Sequence, residues 1–361
     1  MWWITSTQTR VDIEPVMKSY LLLLAAIGIG GCAGDHVSPA SNPYAFVRPA
    51  NFPEPKYTFG NNPVTEKGSE LGRAIFYDPI LSLDSSVACA NCHQQARGFS
   101  DPVHRLSRGV NGASGIRNAP AIQNMAFQKL FFWDGGANHL DFVPINAITN
   151  PLEMDETIAV VVGRLQRSPR YQSKFKDAFG NSDIDSQKML YALSQFMTLM
   201  ISSNSRYDQY IRGEGGQLTA DELSGMKLFQ SKCSSCHATD LFTDGSFHNN
   251  GLDTSFENDR GRARITEDDH DAGKFKVPSL RNAELTSPYM HDGRFKTLEN
   301  VLDHYADNVK DSPTLDPLLK QNGSLGITLT ATEKANIIAF IKTLTDTEFT
   351  KDKRFSLPTP N

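Results

Sequence analysis

Two stretches of this 361-residue chain spell one signature: SSVACANCHQQARGF (85–99), with Cys89, Cys92 and His93, and QSKCSSCHATD (230–240), with Cys233, Cys236 and His237. The one other cysteine is Cys32. A Cys-x-x-Cys pair followed at once by histidine is the attachment signal of c-type haem, in which both sulfurs add to vinyl groups as thioethers and the imidazole becomes the proximal iron ligand. A zinc ribbon would hold its two pairs about 15–20 residues apart, far closer than these, and would not need both histidines. A thioredoxin-like dithiol would call for a βαβ setting, and none is visible. Two copies therefore predict two covalently bound haem c groups.

The surroundings of the two signatures repeat as well. ELGRAIFYDP (70–79), with Gly72, Ile75 and Phe76, precedes the first, and ELSGMKLFQS (222–231), with Gly225, Leu228 and Phe229, precedes the second. Both read as helices, the second opened by a capping box at Thr219 and Glu222. GIRNAPAIQN (115–124) and VPSLRNAELT (277–286) follow, then Asp134-Gly135 and Asp292-Gly293, each with a leucine, Leu140 or Leu298, six residues past the aspartate. Each half closes on an amphipathic helix, with Met189, Leu193, Phe196, Met197 and Met200 on one face in 187–201, and Ile337, Ile341 and Leu344 in 332–345. The β-branched run Ile158 to Val162 also reads as helix. The expected fold is mainly α, two cytochrome c-like haem domains related by internal duplication: residues 63–212 and 213–346, with the linker RGEGGQ at the join. A proline-rich, extended arm (33–62) precedes them and a tail (347–361) follows.

The N-terminal stretch MKSYLLLLAAIGIGGC (17–32) has a charged start, an apolar run and small residues before Cys32, the pattern of an export signal. The run is about half the roughly 20 apolar residues a membrane span needs. Residues 1–32 are read as this signal, with translation beginning at Met17. The ending IGGC resembles a bacterial lipobox, so Cys32 is expected to carry lipid and tether a periplasmic protein to a membrane. The formal net charge of −5, from 36 basic and 41 acidic residues, gives no footprint for nucleic acid.

Taken in order, CANCH, RNAP, FFWDG, TNPLEM, CSSCH, VPSLRN, LTSPYMHDG and TLENVLDHY make residues 60–345 similar to the bacterial di-haem cytochrome c peroxidases and MauG proteins. That resemblance implies that the N-terminal haem meets H2O2 and the C-terminal haem stores or relays electrons. It implies a tryptophan between them, Trp133, and a calcium ion held by the Asn118 side chain and the backbone carbonyls of Thr286 and Pro288. Glu153 matches the distal acid, a carboxylate that takes a proton from one peroxide oxygen and delivers it to the other, with Asp155 and Glu156 as competitors. A small c-type cytochrome or cupredoxin is the expected electron donor, or a protein side chain the substrate, as for MauG. A homodimer stays open, as does a plain electron-transfer di-haem cytochrome without catalysis.

The departures from the family pattern are as informative. Peroxidase members carry a histidine in the loop HRLSRGVNGASGIRN (104–118) that caps the resting first haem; here His104 stands too early. Val143 and Ala147 replace a glutamine and a proline ahead of the distal acid. The second haem's sixth ligand falls on Tyr305, where peroxidases have methionine and MauG tyrosine; a phenolate favours ferric and higher states. Met290 competes for that role. Counted from the two Asp-Gly landmarks, the position equivalent to Tyr305 is Ala147, which cannot bind iron, so one site is expected closed and one open. His248, His270, His291 and His304 read as polar or packing histidines.

Overall fold

Thr65, Thr219 and Thr330 each start a helix in the same way: the hydroxyl accepts from a backbone N–H of the first turn, Gly68, Glu222 and Glu333 respectively. This satisfies donors that a helix start leaves unpaired. The computed structural model describes residues 42–321 and 323–359; the expected export signal, with Met17 and Cys32, lies outside the described residues. Within them the chain forms α1 (Glu66–Phe76), α2 (Cys89–Cys92), α3 (Val143–Thr149), α4 (Ile158–Gln166), α5 (Pro169–Phe179), α6 (Ser186–Thr198), α7 (Arg206–Ile211), α8 (Ala220–Lys232), α9 (Ala263–Thr266), α10 (Leu298–Asp307) and α11 (Ala331–Lys342). Strand structure is limited to two short antiparallel pairs, β1 (Phe247–His248) with β2 (Phe275–Lys276) and β3 (Lys320–Gln321) with β4 (Ser324–Leu325). The mainly α expectation holds, and the Ile158 run is helical.

Two helix crossings organise the fold. Gly72 of α1 meets α6 so closely that a Cβ would stand 1.9 Å from the Ala192 carbonyl oxygen, and Gly225 of α8 meets α11 with a Cβ 1.8 Å from that of Asn336. Only glycine permits either approach. Around the first crossing Leu71, Ile75, Phe76, Leu193 and Phe196 are buried in one apolar core; around the second, Phe229, Ile337, Phe340 and Ile341 are buried in another with Leu298 and Leu302 of α10. Each such side chain contributes about 1.5–3 kcal/mol on burial.

The ends of the chain depart from the sequence expectation. The described part of the proline-rich stretch is no free arm: Phe52 and Tyr57 are buried in the first core, and the N–H groups of Lys56 and Tyr57 donate to the Ala126 carbonyl. The tail also returns to that core, where Phe349 and Phe355 pack against Phe99. Apolar residues spaced along an irregular segment give no periodicity, so neither docking was readable from pattern alone. Tyr207 of α7, upstream of the expected 212/213 join, packs in the second core.

The two core regions are stitched together at matched positions. Asn124 and Asn282 both take left-handed backbone conformations and precede a 3-10 turn, at Met125–Phe127 and Ala283–Leu285. Asn124 and Asn282 are thus alike in local conformation, 158 residues apart, the separation of the two Asp-Gly pairs. At the separation that relates Asp134-Gly135 to Asp292-Gly293, Trp133 corresponds to His291 and Asn118 to Lys276. Their backbone hydrogen bonds are reciprocal: Asn118 N donates to the His291 carbonyl at 2.7 Å and Lys276 N to the Trp133 carbonyl at 2.7 Å. Beneath this seam Arg281 and Asp208 form a fully buried bidentate ion pair at 2.7 and 2.8 Å.

Candidate functional site

A cavity of about 1430 Å³ runs along the seam and is lined by Cys89, Cys92 and His93 and also by Cys233, Cys236 and His237. Pockets for one small ligand span about 300–1,000 Å³, so this space is larger than one such ligand needs. Neither cysteine pair forms a disulfide. Burial pushes the Cys89 and Cys233 thiols up to about 12 and Cys92 to about 11, which keeps them protonated.

The two histidines are held alike. His93 Nδ1 lies 3.0 Å from the Phe99 carbonyl and His237 Nδ1 lies 3.1 Å from the Phe242 carbonyl. A carbonyl only accepts, so each Nδ1 carries the proton and each Nε2 keeps its lone pair for a metal. Burial holds both imidazoles below the usual histidine range, favouring the neutral ligand form. Two thiols and one pre-oriented neutral imidazole on each side of an oversized cavity fit the donor set of haem c.

Of the three acids weighed from sequence, only Glu153 reaches the cavity. It sits on the turn after α3, and burial pushes its carboxyl up to about 7 while the Asn150 side chain, hydrogen-bonded to it, pulls the other way. Glu156 is instead bound to Arg164 at 2.5 Å, and Asp155 lies off the cavity lining. Val143 and Ala147 of α3 line the same wall. His104 is tied to Asp101, with Nδ1 3.0 Å from Oδ2, and is not part of the lining, so the 104–118 loop brings no histidine to the cavity.

Trp133 lines the cavity, its Nε1 donating to the Asn118 carbonyl at 2.9 Å. Asn118 is buried; its Nδ2 donates to the Arg105 carbonyl at 3.1 Å, and its Oδ1 accepts from none of the described residues. Thr286 and Pro288 join it on the lining. That provides oxygen donors of the hard type a calcium ion takes.

Tyr305 on α10 and Met290 in the 285–293 turn both face the second half of the cavity, and one amide links them: Asn250 Nδ2 lies 3.4 Å from Tyr305 Oη and 3.5 Å from Met290 Sδ. Burial pushes the Tyr305 phenol up to about 12, so only a cation at its oxygen would make it a phenolate at neutral pH. Met290 sits at φ 73°, and its counterpart Phe132 at φ 65°. His291 stacks on Phe275 with centroids 3.6 Å apart, and burial lowers its imidazole to about 4. His304 Nε2 lies 2.9 Å from the Asn250 carbonyl, which can only accept, so Nε2 is the donor.

Sequence reasoning missed Asn250, Asn150 and Lys276. Asn250 lies in an unremarked loop with no periodic signal, and Lys276 was overlooked beside VPSLRN. The two carbonyls that orient the histidines come from backbone and leave no side-chain trace.

Residues 66–216 match the family model described as di-haem cytochrome c peroxidase. The chain is 36% identical over 304 residues to the methylamine utilization protein MauG of Methylorubrum extorquens, covering 83% of each. It is 32% identical over 281 residues to the cytochrome c551 peroxidase of Nitrosomonas europaea, covering 77% of this chain and 79% of that one. Among solved structures it is similar to a MauG-like protein associated with microbial copper homeostasis, at 34% identity and a TM-score of 0.79, covering 86% of this chain and 98% of the other.

Proposed function

This chain belongs to the di-haem cytochrome c peroxidase and MauG family, and from that premise we propose that it reduces H2O2 at a haem held by His93, with electrons relayed through a second haem held by His237. Haem c, when bound, supplies an iron that takes peroxide and exchanges electrons. The chain supplies the rest. Cys89 and Cys92 on one side, and Cys233 and Cys236 on the other, would make the thioether links, and His93 and His237 would hold the irons through Nε2.

The observation that carries this reading is the unequal wall of the cavity. Glu153 stands near Cys89 and Cys92 and Tyr305 near Cys233 and Cys236, with Ala147 packed on the first core and Met290 joined to Tyr305 through Asn250. Ala147 leaves room for peroxide. The Glu153 carboxylate takes a proton from the near oxygen and returns it to the departing one, and a carboxyl raised to about 7 suits both halves of that transfer at neutral pH. Two electrons and two protons convert H2O2 to two waters, the electrons coming from a small c-type cytochrome or cupredoxin. Trp133, held at both its ring and its backbone, would carry electrons between the halves. The test is stoichiometric H2O2 added to the diferric protein, followed by absorption and EPR. Consumption of a high-spin signal supports the reading, and two low-spin signals unmoved by peroxide would leave a plain electron-transfer cytochrome.

A second reading, oxidation of a partner protein in the manner of MauG, is favoured by Tyr305, because phenolate ligation would stabilise oxidised iron. It calls for peroxide to react without prior reduction. Calcium at Asn118, Thr286 and Pro288, a domain division near 212/213, and a periplasmic location with lipid on Cys32 belong to the same proposal. Internal duplication is part of it too, supported by the reciprocal hydrogen bonds and the paired glycine crossings.

A further inference from the structure

The cavity wall carries several cations, and all but one withdrawn from water are matched by carboxylates. Arg117 binds Asp134 at 2.6 Å and Asp259 at 2.7 Å, Arg264 binds Asp134 at 2.7 Å, and Lys232 pairs with Glu333 at 3.8 Å. Arg108 is exposed. Lys276, the last residue of β2, is half-buried, and its Nζ donates to one group among the described residues, the neutral Oε1 of Gln128 at 2.7 Å. Among the described residues no carboxylate offsets its charge, and burial alone lowers its ammonium to about 8. An ammonium held away from water without an anion is costly, whereas an apolar side chain of the same length would not be.

The charge makes sense when the cavity is filled by a group that brings anions. Resting on the reading that haem fills this space, we propose that Lys276 is a cofactor-binding residue whose ammonium receives a haem propionate carboxylate. Its placement is fixed from both ends: the main chain is bonded to the Trp133 carbonyl and the side chain to Gln128. The equivalent position on the other side of the seam carries the uncharged Asn118, so the fixed positive charge belongs to one side only. A fixed cation beside a haem disfavours ferric iron relative to ferrous and so would raise the potential of the haem it serves.

The test uses the holoprotein and the variants Lys276→Met, Lys276→Gln and Lys276→Arg. Pyridine haemochrome counts covalent haem, and spectroelectrochemical titration gives both midpoint potentials. With two haems retained, the potential of one should shift downward in the Met and Gln variants and stay at the wild-type value in Arg. Unchanged potentials in Met and Gln, or an Arg variant shifted as far as Met, would overturn the pairing while leaving the haem reading intact. Lys276→Gln can still hydrogen-bond to Gln128 and serves if the Met variant fails to mature. Wild-type protein without covalent haem would sink both.

Discussion

The two halves of the cavity are built alike and finished differently. Each offers a pair of cysteines, a histidine tied through Nδ1 to a backbone carbonyl, a glycine-mediated helix crossing and a left-handed turn before an Asp-Gly pair. The differences fall at equivalent positions: Ala147 against Tyr305, Phe132 against Met290, Trp133 against His291, Asn118 against Lys276. Framework residues fix where a cofactor would lie, and a few side chains then decide whether its open face is free or occupied. Division of labour here needs substitutions at matched places, with no change of scaffold.

The strongest way to break the comparison removes one attachment site at a time. Cys233→Ala with Cys236→Ala should leave one covalent haem, high-spin and peroxide-reactive, whereas Cys89→Ala with Cys92→Ala should leave one that is low-spin and inert; mass spectrometry and EPR check both. Identical spectra from the two variants would erase the asymmetry.

Packing offers the next test, because the C-terminal Phe355 is buried in the first core. Phe355→Ala should cost about 3–5 kcal/mol in denaturant unfolding. A loss well below that range would mean the tail contributes little to the first half.

Glu153→Gln keeps the shape and removes the proton carrier, so peroxide turnover should fall by about 10²-fold or more. In the wild type the rate should rise with pH through about 7 as the carboxylate forms, and the variant should lack that limb. Tyr305→Met should raise the second haem's potential and shorten the life of the oxidised product while the first haem's spin state stays put; a changed first site would show that the halves are not independent.

The same carboxyl also bears on stability. Burial raises the Glu153 carboxyl from about 4.3 in the unfolded chain to about 7, so its contribution is full below about pH 4.3 and is lost as pH rises through about 7. Glu153→Gln should therefore flatten the decline in thermal stability between those limits.

Much of this was legible before any coordinates. The two Cys-x-x-Cys-His signatures, the capping boxes at Thr219 and Thr330 and the apolar faces of α6 and α11 are local patterns, set by haem chemistry, by unpaired N–H groups at helix starts and by the 3.6-residue period. They gave the fold class, the cofactor and the paired order of elements. Glu153 and Tyr305 were singled out through resemblance to family motifs, and Ala147 through the Asp-Gly count.

What the chain's order did not reveal depends on residues distant in sequence. That Glu153 lines the cavity while Glu156 does not goes with Arg164 claiming Glu156. That Asn250 holds both Met290 and Tyr305 follows from a loop crossing the second wall. The docking of Phe52, Phe349 and Phe355 on the first core, and an ammonium at Lys276 with no carboxylate beside it, were decided only on folding. Sequence determines which groups are present and which local turns they favour; burial and partnership are properties of the packed chain, because the dielectric and the neighbours that set them come from segments the backbone joins only in three dimensions.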